Sequence, residues 1–154
     1  MVFRTHINLK INKKNIMWEI KVLLLMFLFD IIDDFVLQPI CLSKLKQKRY
    51  WIEECKKNNL DISKYDKDYV TALMIHGLSW SIMIHVPLMF LGGIRDDFFL
   101  WLSVLFNAVI HAIIDDLKAN KLKINLDADQ CLHGFQIVIT WIVLSSISYY
   151  QLFY

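Results

Sequence analysis

The sequence predicts an all-α, multi-pass membrane protein, and three observations carry that expectation. Hydrophobic residues make up 56% of the chain and the mean hydropathy is +0.42, both high for a domain folded in water, while only 21% of residues are charged. Three apolar runs reach the roughly 20 residues that a helix needs to cross a hydrocarbon core. Within the runs and beside them, polar side chains recur at spacings of four, the helical period. A chain of 154 residues has room for one domain. It reads as a polar N-terminal tail, residues 1–16, followed by a single transmembrane unit of four helices over 17–154.

The first helix is placed at 18–38. Arg4, Lys10, Lys13 and Lys14 precede its apolar part, as in the start of a signal peptide. Asp30, Asp33 and Asp34 then interrupt the run and no small-residue cleavage site follows, so the helix is expected to be retained. Its apolar stretch, Val22 to Phe29, is short. Residues 43–68 combine Tyr50, Trp51 and Ile52 with Lys44, Lys46, Lys48, Arg49, Lys56 and Lys57. That mixture predicts an interfacial amphipathic helix between the first two spans, its lysines turned outward; an ordinary solvated linker fits equally well.

The remaining spans are expected at 69–92, 98–117 and 129–153. Pro87 falls late in the second span, where a membrane helix tolerates it. Gly92 and Gly93, followed by Arg95, Asp96 and Asp97, predict a tight polar turn that makes the second and third spans antiparallel. Four spans put loops one and three on the same side. These loops hold most of the Lys and Arg, so the positive-inside rule places them in the cytoplasm, with the basic tail pulling the other way. Cys55 in loop one is then the natural labelling reporter of that side.

Composition also excludes. A net charge of +2, with the basic residues in connecting segments, does not describe a nucleic-acid binder. Cys41, Cys55 and Cys131 form no C-x-x-C pair and are odd in number, so they read as plain thiols. No G-x-S-x-G, Walker loop or H-E-x-x-H occurs.

The chemistry lies in a polar constellation. Asp30, Asp34 and Gln38 share one face of the first helix, His111 and Asp115 one face of the third, and Asp129 and His133 one face of the fourth, while His76 lies early in the second. Up-down topology brings all four sets to the same end, in a layer within about 10 Å of the boundary beside loops one and three at 1.5 Å per residue. Ionisable groups at such depth usually face one another or a cavity. Asp and His are good ligands for divalent transition metals, and helix bundles build metal sites from such spacings. Asp30, Asp34, His76, His111, Asp115 and His133 are therefore the candidate ligands for zinc, manganese or iron, with Gln38 and Gln130 as outer partners. A hydrogen-bonded packing network and a proton or ion path are the competing readings.

Other polar residues are read more plainly. His85 lies away from the layer and is expected to donate in helix packing, and Asn107 to bond between helices. Asp33 and Asp116 stand beside the facing acids, as solvated or outer groups. Trp141, Tyr149, Tyr150 and Tyr154 look like an aromatic belt at the far interface.

Asp34-Phe35-Val36-Leu37-Gln38 ending the first helix, then His76, then His111 through Asp115 to Lys118, then Asp129-Gln130 with His133, resemble domain-of-unknown-function family 3307, a group of small phage and bacterial membrane proteins. The likeness runs over nearly the whole chain after Met17. The family pattern has a His four residues before the first-helix Asp, where this chain has Asp30, a harder ligand that also binds metal. The resemblance implies that these positions belong together, in a multi-pass protein of a bacterial inner membrane, and implies no reaction.

The functional expectation is a metal-dependent hydrolase acting on a lipid or another membrane-associated ester, phosphoester or amide, with Asp129 as general base and Lys118 binding a phosphate or carboxylate. The alternatives are a small permease or ion path, which at four spans needs a homo-oligomer, and a phage-type modulator that binds a host protein. The bilayer is the partner common to all three.

Overall fold

The computed structural model describes the backbone of residues 2–91 and 97–153, and the side chains of 17–91 and 98–149. Among these residues every element is helical. Helix α1 spans Val2–Ile31 and continues into a π-helical turn, Ile32–Leu37; α2 (Ile40–Leu45) and α3 (Lys48–Lys57) follow, then a 3-10 turn, Ile62–Lys64. Three long helices complete the chain: α4 (Asp68–Leu91), α5 (Asp97–Ala119) and α6 (Leu126–Phe153).

Among the described residues, three segments are long and apolar enough to cross a membrane: Ile62–Leu91, Phe98–Ala119 and Leu126–Tyr149. The first helix is not among them. Lys21 and Asp30 bracket its apolar run, Val22 to Phe29, and leave about two turns of hydrocarbon-compatible surface. It still packs as a full member of the bundle. Val22 and Met26, one turn apart, are fully buried against Trp80, Ile84 and Leu88 of α4 and Ile137 and Leu144 of α6.

Each long helix packs on two others, α1 on α4 and α6, and α5 on the same pair. The contacts run in opposite order along each pair. Trp18 reaches Leu91 while Asp30 reaches Trp80, and Ser81 reaches Val104 while His76 reaches Asp115. Glu19 meets Ser145 while Phe27 lies against Gly134, and Asn107 meets Thr140 while Lys118 meets Asp129. The bundle is therefore up-down-up-down, the topology that the sequence requires for one polar layer. The expected glycine turn, 92–96, lies outside the described residues, as do the Tyr150 and Tyr154 side chains of the expected aromatic belt.

Where lipid replaces water, helices gain by close packing rather than by hiding apolar surface, so small residues matter at contacts. Gly77 of α4 is such a contact. A Cβ built there would stand 2.5 Å from the Ala108 carbonyl oxygen of α5 and 3.3 Å from the Ala112 amide nitrogen. The outward faces of α5 and α6 carry Leu102, Phe106, Phe135 and Ile139, all exposed.

Loop one differs from its expectation. Instead of a single interfacial helix it folds as α2, α3 and a 3-10 turn. Lys46, expected to point outward, turns into the bundle and is buried, because its ammonium finds the Asp115 carboxylate there. Cys55 is also buried, whereas Cys41 and Cys131 are exposed, so Cys55 is a poor labelling reporter.

Candidate metal centre

The polar layer forms where the end of α1 meets the start of α4, the end of α5 and the start of α6. Pro39 shapes the first contribution. It has no N–H and disfavours the helical conformation in the residue before it, so Gln38 is extended at φ −68° and ψ 110°. The Gln38 amide donates to the Asp33 carbonyl five residues back at 2.9 Å, closing the π turn. Asp33 and Asp34, neighbours in sequence, consequently flank the same His76 ring. Asp33 Oδ2 lies 3.8 Å from Nδ1 and Asp34 Oδ1 lies 3.3 Å from Nε2.

Asp115 occupies the middle. Its Oδ1 faces His133 Nε2 at 3.6 Å and His111 Nε2 at 3.9 Å, and its Oδ2 faces His76 Nε2 at 3.6 Å. His133 Nε2 is also 3.5 Å from Asp129 Oδ1. The imidazoles are stacked. The His111 and His133 rings lie 4.1 Å apart, and Trp80 in turn stacks on His111 at 4.2 Å. Two groups have the residue types and spacing of a candidate metal site, Asp34 with His76 and His111, and His111 with Asp115 and His133; within each, one ligand atom per residue lies within 4.8 Å of the others. Tetrahedral bonds of about 2.1 Å place ligand atoms about 3.4 Å apart, close to the 3.3–3.9 Å between carboxylate oxygens and imidazole nitrogens within the groups.

Asp33, Asp115 and Asp129 share a pattern: one oxygen is held by a donor from another element and the other faces a histidine, the held oxygen of Asp115 facing His76 as well. Asp33 Oδ1 accepts from Ser79 Oγ at 2.8 Å, Asp115 Oδ2 from Lys46 Nζ at 2.6 Å, and Asp129 Oδ2 from Lys118 Nζ at 2.5 Å. The opposite oxygens of Asp33 and Asp129, Asp34 Oδ1 and all four ring nitrogens of His111 and His133 are buried without a hydrogen-bond partner. Such groups cost about 1–3 kcal/mol each unless something satisfies them. Counted formally, Asp30, Asp33, Asp34, Asp115 and Asp129 face two ammonium groups, Lys46 and Lys118, so the layer carries an excess of carboxylates.

The sequence-predicted residues distribute as follows. His76, His111, Asp115, His133 and Asp34 converge on the two groups, and Asp129 joins them through His133. Asp30 stands outside both groups, its Oδ1 accepting from the Trp80 indole at 2.7 Å. Lys118 is committed to Asp129 and is the most exposed member, at 37%. Gln38 caps the π turn, and Gln130 reaches Asp129 only at 3.4 Å. Sequence reasoning missed two members. Asp33, set aside as solvated or outer, is 2% exposed, and the signal for it was Pro39 five residues after Asp34, a helix breaker able to shift register. Lys46 had no local signal.

Asp116, beside the layer, pairs with Lys121 at 2.8 Å, and this hydrogen bond raises the lysine pKa above its ordinary value. His85 lies apart, as expected. Its Nδ1 donates to the Ser81 carbonyl at 2.7 Å, which leaves Nε2 to accept from Ser103 Oγ at 2.9 Å.

No family model, curated protein or solved structure matches the chain.

Proposed function

We propose that the chain is a four-span membrane protein whose Asp/His layer binds a divalent transition metal, and that the ion serves hydrolysis of a lipid or another membrane-associated ester or phosphoester. The observation that carries the metal is that buried His111 Nε2 and His133 Nε2 make no hydrogen bond while facing carboxylate oxygens at 3.5–3.9 Å. Hydrogen bonds are what make buried polar groups tolerable, and an ion among these nitrogens and oxygens would satisfy both at once. Zinc, manganese and iron all suit imidazole with carboxylate.

The fourth span is α1, whose short apolar run is helped by burial against α4 and α6. When bound, such an ion polarises an ester or phosphoryl oxygen and activates water. Around it, Asp129 offers Oδ1 as proton acceptor while Lys118 holds Oδ2. Lys118, at the exposed rim, is the group positioned to meet an anionic headgroup. Elemental analysis of gently purified protein tests the centre: stoichiometric metal is expected, and metal-free protein that folds and melts normally overturns it. Hydrolysis of fluorogenic lipid esters and phosphoesters, abolished by chelation, tests the reaction.

A proton path is the second reading, and one observation favours it. Beyond the layer, and separate from it, a hydrogen-bonded chain runs along the helices: Gln136 Nε2 and Thr140 Oγ1 donate to Asn107 Oδ1, Asn107 Nδ2 donates to Ser103 Oγ, and Ser103 reaches His85. Proton uptake by proteoliposomes, lost in Asn107→Leu, separates this reading from hydrolysis.

A further inference from the structure

The two ligand groups share His111, and they are linked again through Asp115, whose two oxygens face different histidines. This is the layout of a centre with two cation positions bridged by a carboxylate. One bridging oxygen, however, is already bonded to a cation of the protein. Lys46 Nζ lies 2.6 Å from Asp115 Oδ2, the same oxygen that faces His76 at 3.6 Å, and the Lys46 side chain is 11% exposed.

The lysine is delivered by fixed backbone rather than by a loose tail. Asn120 at the end of α5 donates through Nδ2 to the Lys46 carbonyl at 3.0 Å and to Asp116 Oδ1 at 2.9 Å, and its Oδ1 accepts the Lys48 amide at 2.7 Å. The Trp51 indole closes the segment on itself by donating to the Leu45 carbonyl at 2.9 Å. The junction of α2 and α3 is thus tied to the same helix that carries Asp115. A long, rotamer-rich side chain loses substantial entropy when held in this way, so its burial needs a compensating partner, and the partner is the bridging carboxylate.

We propose, resting on the metal reading above, that Lys46 occupies the cation position on the Asp34 and His76 side and thereby restricts the centre to one metal ion, held by His111, Asp115 and His133. An ammonium and a divalent ion compete for the same oxygen, and the tethered group is present at a concentration no free ion matches. Removing the ammonium opens the second position to Asp34, His76 and the freed Asp115 oxygen.

The test is manganese loading of the full chain in detergent, read by metal content per chain and by electron paramagnetic resonance. Wild type and Lys46→Arg are expected to saturate at one ion with the spectrum of isolated manganese. Lys46→Met is expected to take two ions with a spin-coupled spectrum, the added ion disappearing again when His76→Ala is combined with it. A Lys46→Met protein that stays at one ion, or loses the first, overturns the proposal; in the second case the lysine merely orients Asp115. A wild type that takes two coupled ions overturns it while leaving the metal reading intact. A wild type that takes none removes the reading beneath it. Should Lys46→Met not fold, Lys46→Gln and the wild-type spectrum carry the same decision.

Discussion

At the scale of single residues, the distinction that matters is between histidines with partners and histidines without. His85 is as deeply buried as His111, yet both of its nitrogens are bonded, to Ser81 and Ser103. His111 and His133 have four buried nitrogens and no hydrogen bond. His111→Ala and His133→Ala are therefore expected to lower the metal content of purified protein strongly, whereas His85→Ala should leave it unchanged and instead lower thermal stability. Equal loss of metal in all three variants would show that the effect is one of folding. Asp129→Asn keeps the shape of the side chain and removes the charge that Lys118 balances; it is expected to reduce hydrolysis while retaining metal, a contrast read by assay and elemental analysis on one preparation. His111 and His133 were legible in the sequence because spacing of four put each with its acid on one helix face. Lys46 was not, since nothing within a turn of it signals the carboxylate 69 positions away that it meets.

At the scale of elements, two local features position the layer. Gly77 lets α4 approach α5 until a Cβ would overlap the Ala108 carbonyl, and this approach sets His76 beside His111, their ring centroids 5.0 Å apart. The clash is with backbone, so Gly77→Ala must separate the helices; a cost of about 1–3 kcal/mol is expected from such overpacking, measured as a lower melting temperature in detergent, and Gly134→Ala serves as the control because its Cβ would meet only Phe27 at an ordinary 3.7 Å. The π turn is the second feature. Pro39→Ala restores an amide at position 39 and the helical option to Gln38, which is expected to relax the turn and rotate Asp33 and Asp34 away from His76, so that a Lys46→Met, Pro39→Ala double variant loses the second ion and keeps the one on His111, Asp115 and His133; a double variant that still takes two ions in a metal titration would argue that the turn is held by tertiary contacts instead. A regular helix over 18–38 was the simplest reading of a spacing-four pattern. Its last turn departs because the proline that follows cannot continue the hydrogen-bond ladder.

At the scale of the whole molecule, three helices among the described residues are long and apolar enough to cross a membrane, and the chain is expected to need detergent for extraction. After carbonate washing it is expected in the membrane fraction, and a soluble monomer would contradict the fold. Sidedness is expected to follow the basic loops. Cys41, exposed in α2, is the appropriate reporter for loop one, and a membrane-impermeant maleimide is expected to label it only from the cytoplasmic side, in a variant with Cys131 replaced. Labelling from outside the intact cell would invert the topology.

The amino-acid sequence by itself determined the class, the up-down bundle and the gathering of acids and histidines at one end, because hydropathy and helical period are local properties that survive without knowledge of neighbours. Short loops then leave few ways to arrange consecutive long helices. Tertiary structure alone decided which oxygen of each carboxylate is held and which is free, that Asp30 serves the Trp80 indole while Asp33 enters the layer, and that a lysine from loop one reaches the centre. These depend on helix rotation and on the path of α2 and α3. Rotation is set by contacts between residues far apart in the chain, such as Gly77 against Ala108, and a pattern read along one helix carries no information about the groove it will meet on another.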